Sequence, residues 1–270
     1  MSLGPFDLTG GPFLTLYGAL LLVTIVAGII IPRWLRPEGH SRRITDTDQL
    51  AYLAGGASRF ADAVVARLLA ARSLFMTGKD SFQTDARAAG RTAAERSVLI
   101  LSAARWPAIE RALKPQAEPI ERKLVSAGLL MDDALTLQMR FWQTSPYLLL
   151  LAFGAIKWMV GDMRHRPVGD LTALLVATAI FALFRWFRVD RRTQGGHAAL
   201  AAARSGSERL RRAPTASETD LAVALFGTTV LVGSGWSDFH KLRTTSSGDG
   251  GSSGDGGGGD GGGGCGGCGS

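Results

Sequence analysis

Apolar residues gather into long runs at three places along the chain, and between the first two the pattern loosens to the 3.6-residue spacing of amphipathic helices. Phe13 to Ile31 reads FLTLYGALLLVTIVAGIII without a charge. At 1.5 Å per residue this covers a hydrocarbon core of roughly 30 Å. Pro32-Arg33-Trp34-Leu35-Arg36 follows the run and only Asp7 precedes it as a charge, so the pattern is that of an uncleaved anchor, not a signal peptide. Ser145 to Val160 is broken only by Lys157, and Leu171 to Phe187 only by Arg185. Each cation lies near the end of its run beside a tryptophan, where it can reach the headgroups. A shorter run, Leu221 to Trp236, holds three glycines and reads either as a packed apolar helix or as a fourth span.

The expected layout is therefore an extracytoplasmic segment 1–12, a first span 13–34, a loop domain 37–142, a second span 143–160, a hairpin 161–169 and a third span 170–187. A basic juxtamembrane region 188–220, the apolar stretch 221–236 and a tail 244–270 complete it. Basic residues fix the orientation: Arg33, Arg36, Arg42, Arg43, Arg140, Arg185, Arg188, Arg191 and Arg192 cluster at one set of span ends. By the positive-inside rule the loop domain is cytoplasmic, in a bacterial inner membrane, and the N-terminus lies outside. Arg164 and Arg166 in the short hairpin run against that bias.

In the loop, Phe60, Val64 and Leu68, and again Ile120 and Leu124, have helical spacing. A shift of 55 positions aligns Val65, Arg67, Leu69, Leu74, Phe75 and Met76 with Ile120, Arg122, Leu124, Leu129, Leu130 and Met131. Each copy ends a helix at Ser73 or Gly128 and enters a short apolar strand. Further helices are expected near Asp46 to Ala54, Ala93 to Ser102 and Trp106 to Leu113. With the turn Thr77-Gly78-Lys79-Asp80 before Ser81 to Thr84, the loop reads as a duplicated winged-helix-like α+β unit. Arg59, Arg67, Arg72, Arg111, Lys114, Arg122 and Lys123 supply basic charge, yet Asp62, Glu110, Glu118 and Glu121 are interleaved. That mixture argues against nucleic acid and for a solvated domain that meets a protein partner. The fold class is mainly α: a helical membrane protein of three spans, or four, with a small cytoplasmic domain and a disordered tail.

Composition sharpens the division. Of 35 glycines, fifteen lie after Arg243, as do both cysteines and Asp249, Asp255 and Asp260, so the net charge of +7 would be +10 without those acids. A segment so poor in apolar side chains stays unfolded on its own. Cys265 and Cys268 are spaced as metal ligands or a redox pair, but one pair supplies only half of a tetrahedral site. They are the only candidate metal or modification residues.

No catalytic motif survives inspection. Gly250-Gly251-Ser252-Ser253-Gly254 matches a nucleophile elbow but sits in low complexity, and Gly78-Lys79 lacks the rest of a phosphate loop. His40, His165, His197 and His240 are scattered, and the spans hold no central Asp or Glu. No cofactor and no small-molecule substrate follow, which leaves the lipid bilayer and a protein partner.

The chain resembles an uncharacterised bacterial family of multi-pass membrane proteins with glycine/cysteine-rich tails. The resemblance lies in Gly11-Pro12-Phe13-Leu14 with Tyr17, Gln49-Leu50-Ala51-Tyr52-Leu53-Ala54-Gly55-Gly56, Arg166-Pro167-Val168-Gly169, Leu221 to Gly227 and the final Cys-Gly-Gly-Cys. It covers nearly the whole length and implies an architecture without an activity. Family members often have longer cysteine tails than this one.

Overall fold

A computed structural model describes residues 10–40, 42–163, 169–212 and 214–246. Three helices in it are long and apolar enough to cross a membrane: α1 (Gly10–Trp34), α5 (Asp133–Met163) and α6 (Gly169–Phe187). They pack on one another through small residues and rings. A side chain at Gly154 would meet Tyr17 at 2.7 Å, and one at Gly28 would meet Tyr147 at 2.9 Å. Phe13 stacks on Phe153 with centroids 5.6 Å apart, and the Tyr17 hydroxyl lies 3.1 Å from that of Thr178. The outer faces stay apolar and uncovered, with Leu22, Leu149 and Ile180 each more than 60% exposed. In water a surface of that kind is unfavourable, and in lipid it is the norm.

The second long helix begins ten residues before the expected boundary at 143. Asp132 starts it by accepting from the Leu135 amide at 2.7 Å. At 1.5 Å per residue its 31 residues span about 46 Å, so its first turns continue out of the apolar zone as a rigid extension.

The folded domain opens with α2 (Thr47–Ala70), kinked at Gly55-Gly56, where Gly56 has φ 67°. A hairpin of β1 (Leu74–Met76) and β2 (Ser81–Thr84) follows, then α3 (Ala93–Leu99), β3 (Ala103–Arg105) and α4 (Trp106–Ser126). The sheet is antiparallel in the order β1-β2-β3, with Met76 opposite Phe82 and Phe82 opposite Ala104. The expected hairpin is therefore present, and it precedes the α3–α4 pair.

The duplication is matched only at the helix ends. Helices α2 and α4 both close with a left-handed residue, Arg72 at φ 56° and Gly128 at φ 70°, and with a bond from the next amide to a carbonyl five residues back. These equivalent positions are 56 residues apart, one more than the sequence alignment. The second copy has no hairpin after it: Leu130 makes a single bridge to Arg192, and α5 starts at Asp133, leaving no chain for a return strand. The helices expected at 106–113 and around 120–124 are one continuous α4.

Beyond the third long helix the chain does not lie apart as a basic juxtamembrane stretch. Helices α7 (Gln194–Ser205), α8 (Glu208–Arg212), α9 (Thr219–Phe226) and α10 (Ser237–Ser246) close the same core as α2 to α4. Leu221 to Trp236 is no fourth span. Helix α9 has eight residues, about 12 Å, and buries Ala222, Val223, Ala224 and Leu225 completely, mainly against α2. Phe239 of α10 packs edge-on to Phe82 of the sheet, with centroids 6.1 Å apart, and tilts against Trp106 at 5.6 Å. One domain is thus assembled from both sides of the α5–α6 pair.

Three connecting segments meet where the domain adjoins the long helices. The Gln194 and Gly195 amides bond to the Pro37 and Glu38 carbonyls, Met131 N to Arg191 O, and Thr193 N to Leu129 O. The Thr193 hydroxyl accepts from the Gly196 amide to start α7 and donates to the Gly128 carbonyl at 2.8 Å. A side chain at Gly196 would lie 2.2 Å from the Leu129 carbonyl oxygen. Alanine normally stabilises a helical glycine position by roughly 0.5–1 kcal/mol. Gly196→Ala is expected to do the reverse and lower the thermal unfolding midpoint, because backbone must move to admit the methyl group.

Candidate functional site

The domain's ionic groups are distributed by helix end. Asp48, Glu95 and Asp220 occupy the first turns of α2, α3 and α9, where the helix dipole favours an anion. All three converge on Arg67: Glu95 lies 3.3 Å from Nη1, Asp220 2.9 Å from Nε, and Asp48 pairs with Nη2. Burial alone would lower the Arg67 pKa, but the three carboxylates hold it above its ordinary value. Glu95 also accepts from the Arg91 amide at 2.6 Å and completes a capping box with Thr92.

Helix C-termini meet arginines instead. Arg192 donates Nε to the Leu53 carbonyl at 2.7 Å and Nη2 to that of Ala54, at the end of the first half of α2. At the end of α9, Arg59 Nη1 reaches the Val223 carbonyl at 3.3 Å and Arg204 Nε the Leu225 carbonyl at 3.0 Å. A Cβ at Gly227 (φ 87°) would come within 2.1 Å of Arg59 Nη1. Burial pushes the Arg59 pKa down; nearby Asp62 opposes this, and the charges of Arg204 and Arg192 add to it.

Beside these arginines opens a pocket of about 350 Å³ lined by Arg192, His197, Leu200, Ala201, Arg204, Ser205 and Glu208. His197 Nε2 lies 2.8 Å from Asp190, which also pairs with Arg36 at 3.6 Å. Burial would raise the Asp190 pKa, yet the His197 hydrogen bond and the Arg192 charge and amide bring it to about 2.

Two further clamps join elements distant in sequence. Glu121 of α4 accepts from the Tyr52 hydroxyl at 2.5 Å and from Arg191 at 2.6 Å, and Arg191 also reaches Asp133 of α5 at 2.9 Å. Arg243 of α10 pairs with buried Asp62 at 2.5 Å, bonds Ser58 at 2.7 Å and lies 4.3 Å from the Trp106 ring centroid.

The sequence candidates fare unevenly. Cys265 and Cys268 lie outside the described residues, as does His165. Among the described residues no group of three or more His, Cys, Asp or Glu is placed to hold a metal ion. His240 meets Thr228 at 3.1 Å, and only His197 joins the pocket. Arg59 and Arg67, read from the sequence as part of a basic face, point inward and are occupied by carbonyls and carboxylates. They contribute nothing to an exposed stripe for a duplex.

Sequence reasoning missed Arg192, His197 and Arg204 as a group because it took the charges after the third span as topology signals. The signal was available: His197, Leu200, Ala201, Arg204, Ser205 and Glu208 have the spacing of one helix face. Comparison with protein-family models, with curated proteins and with solved structures finds no match to this chain.

Two outcomes follow for the ionic groups. Arg67→Met leaves three converging carboxylates uncompensated and is expected to destabilise the domain by about 3–5 kcal/mol, measurable by chemical denaturation. Because the folded pKa of Asp190 lies below its ordinary value of 3.8, its contribution to stability is present above that value and lost as pH falls toward about 2. Asp190→Asn should flatten the fall in unfolding midpoint across that window.

Proposed function

We propose that this chain is a bacterial inner-membrane protein with three spans, its N-terminus outside and its folded domain cytoplasmic, acting without catalysis as a membrane-anchored module for a protein partner. The observation that carries the reading is the domain's assembly from residues 42–132 and 190–246, on both sides of the α5–α6 pair. Such a domain is held at a fixed distance and attitude to the spans, which suits a scaffold. It adjoins the C-terminal ends of α1 and α6 and the N-terminal end of α5, where Arg33, Arg36, Arg140, Arg185 and Arg188 are concentrated. The positive-inside rule puts those ends in the cytoplasm. The resemblance to bacterial membrane proteins with glycine/cysteine tails agrees with this architecture.

On the domain, Phe75 of β1 is 46% exposed and Ile100, just past α3, is 79% exposed, which offers apolar contacts to a partner. The orientation is tested with single cysteines after Cys265 and Cys268 are replaced by serine. In intact cells Ser2→Cys is expected to react with a membrane-impermeant maleimide and Lys79→Cys, in the hairpin turn, only after lysis. Labelling of Lys79→Cys in intact cells would overturn the topology. A photo-cross-linking residue at position 75 or 100 should form protein adducts that the same residue at exposed position 114 does not.

A further inference from the structure

Capping explains why arginines stand at the C-termini of α2's first half and of α9, but not why so many share one place. Arg59 and Arg204 both serve the end of α9, and Arg192 lies close enough that its charge bears on Arg59. Arg192 and Arg59 are fixed mainly by backbone carbonyls, which orient a guanidinium without neutralising it. Arg36, Arg59, Arg192 and Arg204 outnumber the carboxylates around them, Asp190 and Glu208, and Asp62 is committed to Arg243. Fixed positive charge beside an open cavity favours an anion there.

We propose that the pocket on α7 binds a phosphate-class anion between Arg192 and Arg204, with His197 and Ser205 on the same helix face. The planar guanidinium fork matches a tetrahedral oxyanion in a two-point contact, and partial burial at the pocket strengthens each charge-assisted bond. The pocket's volume of about 350 Å³ admits a phosphoryl group together with part of the body that bears it. Two sources of that chemistry are within reach. Arg192 follows the last residue of α6 by five positions, at most about 18 Å of extended chain, so a phospholipid headgroup can enter from the bilayer face. A soluble phosphate ester can enter from the open side. This proposal does not depend on the partner-binding reading above.

The test uses the full-length protein in neutral detergent with chloride as background anion, adding inorganic phosphate and following the melting midpoint and calorimetric binding. A parallel arm compares nanodiscs of phosphatidylcholine alone with nanodiscs containing phosphatidic acid. Ser205→Asp and Ala201→Glu each set a carboxylate in the pocket from an exposed position, and Lys114→Gln removes a distant surface charge. Saturable phosphate binding that weakens at least about tenfold in both pocket variants and persists in Lys114→Gln supports a soluble source. A midpoint raised only by phosphatidic acid, and lost in the same two variants, supports the headgroup. No effect of either probe, or equal losses in all three variants, overturns the proposal. The pocket variants' midpoints without probe show that the fold is retained.

Discussion

The structure depends on a meeting of three backbone segments just outside the apolar helices. Residues 37–40, 128–131 and 191–196 leave α1, precede α5 and follow α6, and each must satisfy its peptide groups on the way into the domain. They do so on one another, through the bonds of Gln194 and Gly195 to Pro37 and Glu38, of Met131 to Arg191 and of Thr193 to Leu129. The approach is so close that a Cβ at Gly39 would fall 2.3 Å from the Gly128 carbonyl, at Gly195 2.6 Å from His40 and at Gly196 2.2 Å from Leu129. Glycine is required there by contact distance, and at Gly39, with φ 64°, also by backbone conformation.

With the segments so tied, the short helices of the domain are brought end to end, and electrostatics sorts the ends. A helix of seven or eight residues such as α3 or α9 is marginal in isolation. Its termini therefore need partners. The N-terminal turns supply Asp48, Glu95 and Asp220, whose mutual repulsion Arg67 removes, and the C-terminal carbonyls receive Arg59, Arg192 and Arg204. Exchanging buried ion pairs for apolar groups often costs nothing, so their value lies in register more than in net stability. Arg67 can meet three carboxylates only if α2, α3 and α9 are correctly placed.

How far the sequence discloses this depends on the range of the interaction. The long apolar helices are local properties of composition, and the structure has candidate spans at the three runs expected. The hairpin between Leu74 and Thr84 is also local, announced by Gly78 between two β-forming segments. The identity of α9 was not legible, because Leu221 to Trp236 is equally apolar whether it faces lipid or α2. What decides it is Gly227, whose φ of 87° ends the helix after eight residues, together with the complementary surface some 160 residues earlier. The joining of 190–246 to 42–132 is likewise invisible to periodicity. The pocket was half legible: its helical face could be read, but that Arg59 would stand behind it could not.

A domain interrupted by two apolar helices has a mechanical consequence that a domain on a flexible tether lacks. Tyr52, Glu121, Arg191 and Asp133 form one chain of contacts from α2 through α4 to the first turn of α5, and Arg36 and His197 meet on Asp190 between α1 and α7. A change in the tilt of α5 or α6 cannot be absorbed in a linker, because the linkers are the bonded segments themselves. It must either move the domain as a body or break the contacts at Glu121 and Asp190. Asp190 adjoins the pocket through His197 and Arg192, so an anion held by Arg192 would act on the same contacts that tie the domain to the membrane helices.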